Sequence, residues 1–163
     1  MTAFTPTSDN TRQLRDAYGR FATGVCIVTT QTPAGPVGMT VNSFSSVSLD
    51  PALVLWCPMK GSDRTEHFAS ASHFAIHVLR EDQGDLAMMF AKHGDAFGGL
   101  SVSEGMGGVP LLPDWSARFE CVATAQHDAG DHLIQIGQVL RADYNDSAPL
   151  IFTGGGFGGF TAS

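Results

Sequence analysis

Two short stretches hold the residue types that could do chemistry. In "TVNSFSSVS" (40–48), Thr40, Asn42, Ser43, Ser45, Ser46 and Ser48 crowd hydroxyls and one amide into an extended segment bracketed by apolar runs. Small polar side chains there would let a flat ligand come close to the backbone and hydrogen-bond along its edge. In "KGSDRT" (60–65), Lys60, Gly61, Ser62, Arg64 and Thr65 stand just ahead of a short helical pattern. Backbone N–H groups and charge-assisted donors in such a bend make a phosphate cradle. Each stretch also has a plain reading, the first as a solvent-facing edge strand and the second as an ordinary solvated turn. One apolar run separates them, so together they suit a ligand with a polar-edged ring and a phosphate tail. Flavin mononucleotide and pyridoxal phosphate both meet that description.

Other sources of chemistry are weaker. His73 and His77 are four apart, but on a strand they would lie roughly 13 Å from each other at about 3.3 Å per residue, too far to share a metal. No metal site is expected, and the six histidines read as surface or satisfied residues. Neither H-E-x-x-H nor G-x-S-x-G occurs, so a hydrolase is not indicated. Gly154, Gly156 and Gly159 in "PLIFTGGGFGGF" spell G-x-G-x-x-G. That fingerprint needs a following helix and a later acidic residue, and only "TAS" follows here. The three cysteines, Cys26, Cys57 and Cys121, form no C-x-x-C pair and read as buried small hydrophobes.

The chain has 163 residues, 43% hydrophobic and 15% charged, which suits one folded domain spanning 1–163. Its net charge of −7 and lack of a basic run speak against nucleic acid. An anionic ligand must therefore be held locally, against the field of the whole molecule. "MTAFTPTSDNTRQ" has neither the basic nor the apolar region of a signal peptide. No apolar run approaches the length of a membrane span, so the expected location is cytoplasmic, with no membrane partner.

The chemistry-bearing segments need a scaffold, and the patterning supplies one. Leu14, Ala17, Tyr18 and Phe21 repeat at helical spacing, with Ser8 or Asp9 available as cap and Gly24 as stop. Strands are predicted at 25–30, 37–49, 52–57 (an apolar run expected at the sheet centre), 73–79 and 149–152. "EDQGDLAMMFAKHG" predicts a helix with Leu86, Met89 and Phe90 on its inner face. "ARFECVATAQH" and "HLIQIGQVLRADY", joined by "DAGD", predict a hairpin, whereas 95–113 is Gly-rich and poorly patterned. Short connections favour antiparallel pairing, and a sheet of six or seven strands tends to close on itself. The expected fold is mainly β, an antiparallel barrel with a few flanking helices.

In order and spacing, "RFATGVCIVTT", "GMTVNSFSSVSLDPALVLWC", "SDRT", "HFAIHVL", "LAMMFAKHGDAF" and "GDHLIQIGQV" resemble the short-chain flavin reductase-like family, which includes reductase components of two-component flavin monooxygenases. The resemblance runs from about Leu14 to Phe152. It implies a split β-barrel of Greek-key type that binds FMN (or FAD), uses NADH or NADPH, forms a homodimer and hands reduced flavin to a separate monooxygenase. It places Thr40, Val41, Asn42 and Ser43 beside the isoalloxazine, with Val47 and Ser48 contributing backbone. Ser62, Arg64, Thr65 and Lys60 fall at the phosphate or ribityl end, Phe90 and Phe97 border the flavin, and His132 lies near the nicotinamide. The alternatives are an FMN-binding electron carrier and a non-catalytic flavin-binding barrel. The ending "IFTGGGFGGF" departs from the family's aromatic and basic pattern, and 154–163 reads as a loosely packed tail.

Overall fold

The computed structural model describes residues 3–161. In chain order the elements are α1 (Thr11–Tyr18), β1 (Thr23–Gly24), β2 (Cys26–Thr32), β3 (Gly35–Val41), β4 (Ser45–Leu49), β5 (Ala52–Trp56), α2 (Thr65–Ala69), β6 (His73–Val78) and α3 (Gly84–Lys92). They continue with β7 (Ser103–Glu104), β8 (Pro110–Leu111), β9 (Ala117–Ala129), β10 (His132–Tyr144), β11 (Ile151–Thr153) and β12 (Gly156–Gly158). Seven strands form one antiparallel sheet in the order β3-β2-β6-β9-β10-β5-β4.

The two outer strands of that order, β3 and β4, are consecutive in sequence, with only Asn42, Ser43 and Phe44 between them. The sheet must therefore curl until its ends meet, although no ladder joins them: a split barrel. The predicted single strand 37–49 breaks at this gap. The run 52–57 forms β5, which lies beside the edge strand β4 rather than at the centre.

The curled sheet encloses Cys26, Val28, Met39, Val41, Val54, Trp56, Phe68, Phe74, Ile76 and Cys121. β2 is buried on both faces, and Val25 and Ile27 point outward into a second cluster with Leu79, Ala87, Phe90, Leu112 and Leu150. That outer layer seats α3, whose Ala87 and Phe90 are buried while Leu86 and Met89 are half-buried. Gly38 on β3 makes the seat possible, because a Cβ there would stand 2.5 Å from the Phe90 ring. The weakly patterned stretch 95–113 supplies buried Val109, Leu111 and Leu112, which alternation did not reveal.

Three expectations change. α1 ends at Gly19, well before Gly24, and its predicted apolar face stays uncovered, with Tyr18 69% and Phe21 79% exposed. Within the expected tail, residues 156–158 form a strand. Gly154 and Gly155 turn at φ 58° and 85°, conformations that favour glycine, so that β12 folds back on β11 and Phe157 meets Phe152 edge-on at 5.7 Å. Of the cysteines, Cys26 and Cys121 are buried with thiols pushed up to about 12 by burial, but Cys57 is only half-buried.

Candidate functional site

The gap between β3 and β4 opens into a pocket of about 550 Å³. One wall is the end of β3 and the connection after it: Thr40, Val41, Asn42 and Ser43. The lining also includes Gly61, Ser62, Asp63 and Arg64 from the bend before α2, Cys57 and Met59 ahead of that bend, and His132 from the start of β10. Parts of both stretches singled out in the sequence, 40–43 and 61–64, thus line one cavity. Its size lies within the usual range for small-molecule sites.

Hydrogen bonds sort the expected site residues into those free to bind and those already engaged. The Thr40 hydroxyl donates to the Ala87 carbonyl of α3 at 2.6 Å, and Ser43 Oγ accepts the Cys57 N–H at 2.9 Å. Asn42 is exposed, and its side chain makes no hydrogen bond among the described residues. Ser62 Oγ accepts the Arg64 N–H at 3.3 Å, which leaves its own proton to give. Arg64 donates from Nη1 to the Phe90 carbonyl at 2.7 Å and the Gly38 carbonyl at 3.2 Å, and from Nη2 to the Ala91 carbonyl at 3.1 Å. It therefore binds the end of α3 to β3, and keeps N–H capacity to spare because a guanidinium has five donors.

Other expected residues support the pocket from outside its lining. Lys60 Nζ binds the Asp128 carboxylate and the Gly130 carbonyl, holding the β9–β10 hairpin tip instead of pointing into the cavity. Asp128 is held below the usual carboxylate range by that bond. Thr65 is buried, its hydroxyl donating to the Met59 carbonyl. Phe90 is fully buried beneath Gly38, and Phe97 packs on it at 5.0 Å. Val47 and Ser48 lie on β4 outside the lining, at a register shift between Ser46 and Ser48. These six residues are not brought to the cavity wall. Met39, Cys57, Met59, Gly61, Asp63 and Ala91 are, although sequence reasoning did not select them. Only Gly61 and Asp63 had a signal, as members of the quoted bend.

His132 belongs to a tied assembly. Its Nδ1 lies 2.7 Å from Asp131 Oδ1, an arrangement in which Nδ1–H donates and Nε2 is left as the second ring nitrogen. Asp131 is correspondingly held below the ordinary carboxylate range. The Lys60 N–H donates to the Asp131 carbonyl at 2.9 Å, and the Leu133 N–H to the Pro58 carbonyl at 3.0 Å. Hairpin tip and bend therefore form one unit around the rim. Cys57 is not a ready nucleophile, since burial raises its pKa more than the Ser43 hydrogen bond lowers it.

The donor set fits a flavin nucleotide. An unengaged amide faces the cavity from the wall that would meet a ring edge, and a hydroxyl with a partly free guanidinium faces it from the bend. A Cβ at Gly61 would meet nothing within 4 Å, so the bend is open to an approaching phosphate. No group of three or more His, Cys, Asp or Glu suited to a metal occurs among the described residues.

A curled antiparallel sheet with this pocket at its split is the architecture of flavin reductases: the chain matches the flavin reductase like domain over residues 18–161 and belongs to that family. It is 54% identical over 158 residues to an FMN reductase (NADH), SmoA, of Agrobacterium fabrum, covering 97% of this chain and 91% of that protein. It is 45% identical over 150 residues to the reductase component of a flavin-dependent trigonelline monooxygenase from Acinetobacter baylyi, where it spans 91% of this chain and 45% of the longer relative. Among solved structures, the NADH:FAD oxidoreductase SgcE6 of Streptomyces globisporus superposes with a TM-score of 0.91 at 34% identity, covering 100% of this chain and 95% of that one. The same oxidoreductase in complex with NAD and FAD fragments gives a TM-score of 0.90 at 36% identity, over 98% of each chain.

Proposed function

We propose that this chain is an NADH- or NADPH-dependent flavin reductase that binds FMN (or FAD) in the pocket at the barrel split and releases reduced flavin to a separate monooxygenase component. One observation carries the reading: residues 40–43, the bend 61–64 and His132 converge on a single 550 Å³ cavity. The chain's similarity to an FMN reductase (NADH) supports FMN and NADH as the working pair. When bound, the flavin supplies the hydride-accepting ring, and the nicotinamide supplies the hydride. The protein's task is alignment, and proximity is the main source of acceleration. Asn42 presents its amide to the ring edge. Ser62 and the spare Arg64 N–H groups hold the phosphate, and His132, set in one tautomer by Asp131, orients the nicotinamide carboxamide.

The net charge of −7 opposes a dianion at long range, so Arg64 offsets it only locally, which suits a flavin that must leave. The reading includes a homodimer. Val47 and Leu49 on β4 and Leu140 and Tyr144 on β10 leave apolar surface uncovered, with Leu49 96% and Tyr144 83% exposed. A cytoplasmic location follows from the nicotinamide co-substrate. No described helix is long and apolar enough to cross a membrane.

The test is the loss of NADH or NADPH absorbance by purified protein with and without added free FMN. Oxidation that scales with free flavin, and reduced flavin that reaches the bulk solution, are expected. A protein that retains FMN yet leaves NADH untouched would instead be an electron carrier. One that binds no flavin would be a different kind of barrel.

A further inference from the structure

The flavin pocket has a charge balance that its donors conceal. Of the thirteen residues lining it, only Arg64 and Asp63 carry formal charge, with His132 counted as neutral, so the lining sums to zero. Neighbouring cations do not alter this. Lys60 is outside the lining and is paired with Asp128. An adjoining cleft of about 340 Å³ shares Asp63 and Arg64 with the pocket and adds Lys92, but also Asp95. A phosphate dianion at the Ser62–Arg64 end thus meets hydrogen-bond donors but no net positive charge, in a molecule of net charge −7.

Asp63 is the side chain responsible, and the fold makes little other use of it. Its carboxylate is 95% exposed, and its one polar side-chain contact among the described residues is Oδ1 at 3.8 Å from Arg64 Nε. That is beyond hydrogen-bond distance, so the two interact by charge alone. Arg64 is fixed without it, by the Gly38, Phe90 and Ala91 carbonyls. Nor does Asp63 cap α2, whose N-cap position is Arg64 and which has no side-chain cap. The carboxylate therefore neither orients the guanidinium nor starts the helix. It cancels, at short range, the one positive charge in the pocket lining.

We propose that Asp63 is the residue that keeps flavin affinity low, by repelling the phosphate beside the Arg64 guanidinium that holds it. The inference rests on the reductase reading above and deepens it. In FMN the phosphate is remote from the reacting ring and is the same group in the oxidised and reduced forms. A charge placed beside it therefore weakens both forms alike, which favours departure of reduced flavin without opposing its reduction. Charges in an exposed bend interact weakly through water, so the effect is graded: it loosens the flavin and does not exclude it.

Fluorescence titration with FMN and with riboflavin, which has the same ring and no phosphate, is the test. Asp63→Asn should tighten FMN about fivefold, the upper range for an exposed charge pair, and leave riboflavin affinity where it was. The gain should shrink as salt is raised. Asp63→Glu, which keeps the charge, should bind both flavins as wild type does. On rapid dilution, FMN should leave Asp63→Asn more slowly than wild type. Equal shifts for FMN and riboflavin, no shift in Asp63→Asn, or the same tightening in Asp63→Glu overturns the proposal. The titrations need no turnover, so a wild type that binds FMN yet oxidises no NADH sinks the reductase reading and leaves the proposal standing. A wild type that binds neither flavin sinks both.

Discussion

Arg64 shows how far a residue's type can be read without its neighbours. Its place in "KGSDRT" suggests a phosphate donor, yet three of its hydrogen bonds go to the Gly38, Phe90 and Ala91 carbonyls. Guanidinium bonds to the last carbonyls of a helix are charge-assisted, and leaving such groups unpaired costs about 1–3 kcal/mol each. Arg64→Ala should therefore lower the unfolding free energy of the flavin-free protein by about 2–4 kcal/mol in a urea titration. A side chain serving phosphate alone would leave that number unchanged. Thr40, Ser43, Lys60 and Thr65 teach the same lesson, since each gives or accepts its hydrogen bond within the fold. Composition revealed where donors cluster; it could not reveal which were already engaged, because that depends on carbonyls remote in sequence. Asn42 and Ser62 were legible because nothing else claims them fully.

At the level of elements, α3 and the bend act on the pocket together through β3. Phe90 lies against Gly38, Thr40 bonds to Ala87, and Arg64 closes the helix end. Gly38→Ala should push Phe90 from its seat, costing about 1–3 kcal/mol as overpacked cores do. It should also weaken FMN, because the bend loses the carbonyls that hold Arg64. Thermal unfolding and a fluorescence titration check the two effects, and a stable variant with unchanged FMN affinity would show that the seat is not coupled to the site. The helix, the β9–β10 hairpin and most strands were legible from periodicity and turn residues. The break at Asn42–Phe44 was not, because Val47 and Leu49 return to the phase of Val37, Met39 and Val41, so that the out-of-phase Phe44 reads as a local irregularity within one strand. The β11–β12 hairpin was hidden for another reason: three consecutive glycines carry no pattern, and Phe157 makes sense only once Phe152 is opposite it.

For the molecule as a whole, sheet closure and the pocket are one event, as the chain that crosses the split is also the pocket wall. Antiparallel pairing could be inferred from short connections, but the meeting of β3 and β4 could not. It follows from the order of seven strands, a long-range property. The outer layer packed on that sheet holds His77 in full burial, with Nδ1–H donating to the Ile27 carbonyl at 3.1 Å and Nε2 accepting the Leu112 N–H at 3.1 Å. Both ring nitrogens are committed to the neutral form. Burial lowers its pKa from 6.5 to about 3, the Ile27 bond opposes that shift, and the nearby Arg118 charge adds to it. The unfolded chain binds a proton here below pH 6.5, while the folded chain does not until near pH 3. The stability contributed by the neutral ring is thus complete above pH 6.5 and falls as pH drops through that window, by up to about 1.4 kcal/mol per unit. Between pH 6.5 and about 5 the carboxylates remain ionised. Relief of the −7 self-repulsion would change stability in the opposite direction. Urea unfolding across this range should show a loss in wild type that is largely absent in His77→Phe. A slope unchanged by the substitution would mean that the ring opens to water and that the outer layer around Leu112 sits more loosely on β2 and β6 than its hydrogen bonds imply.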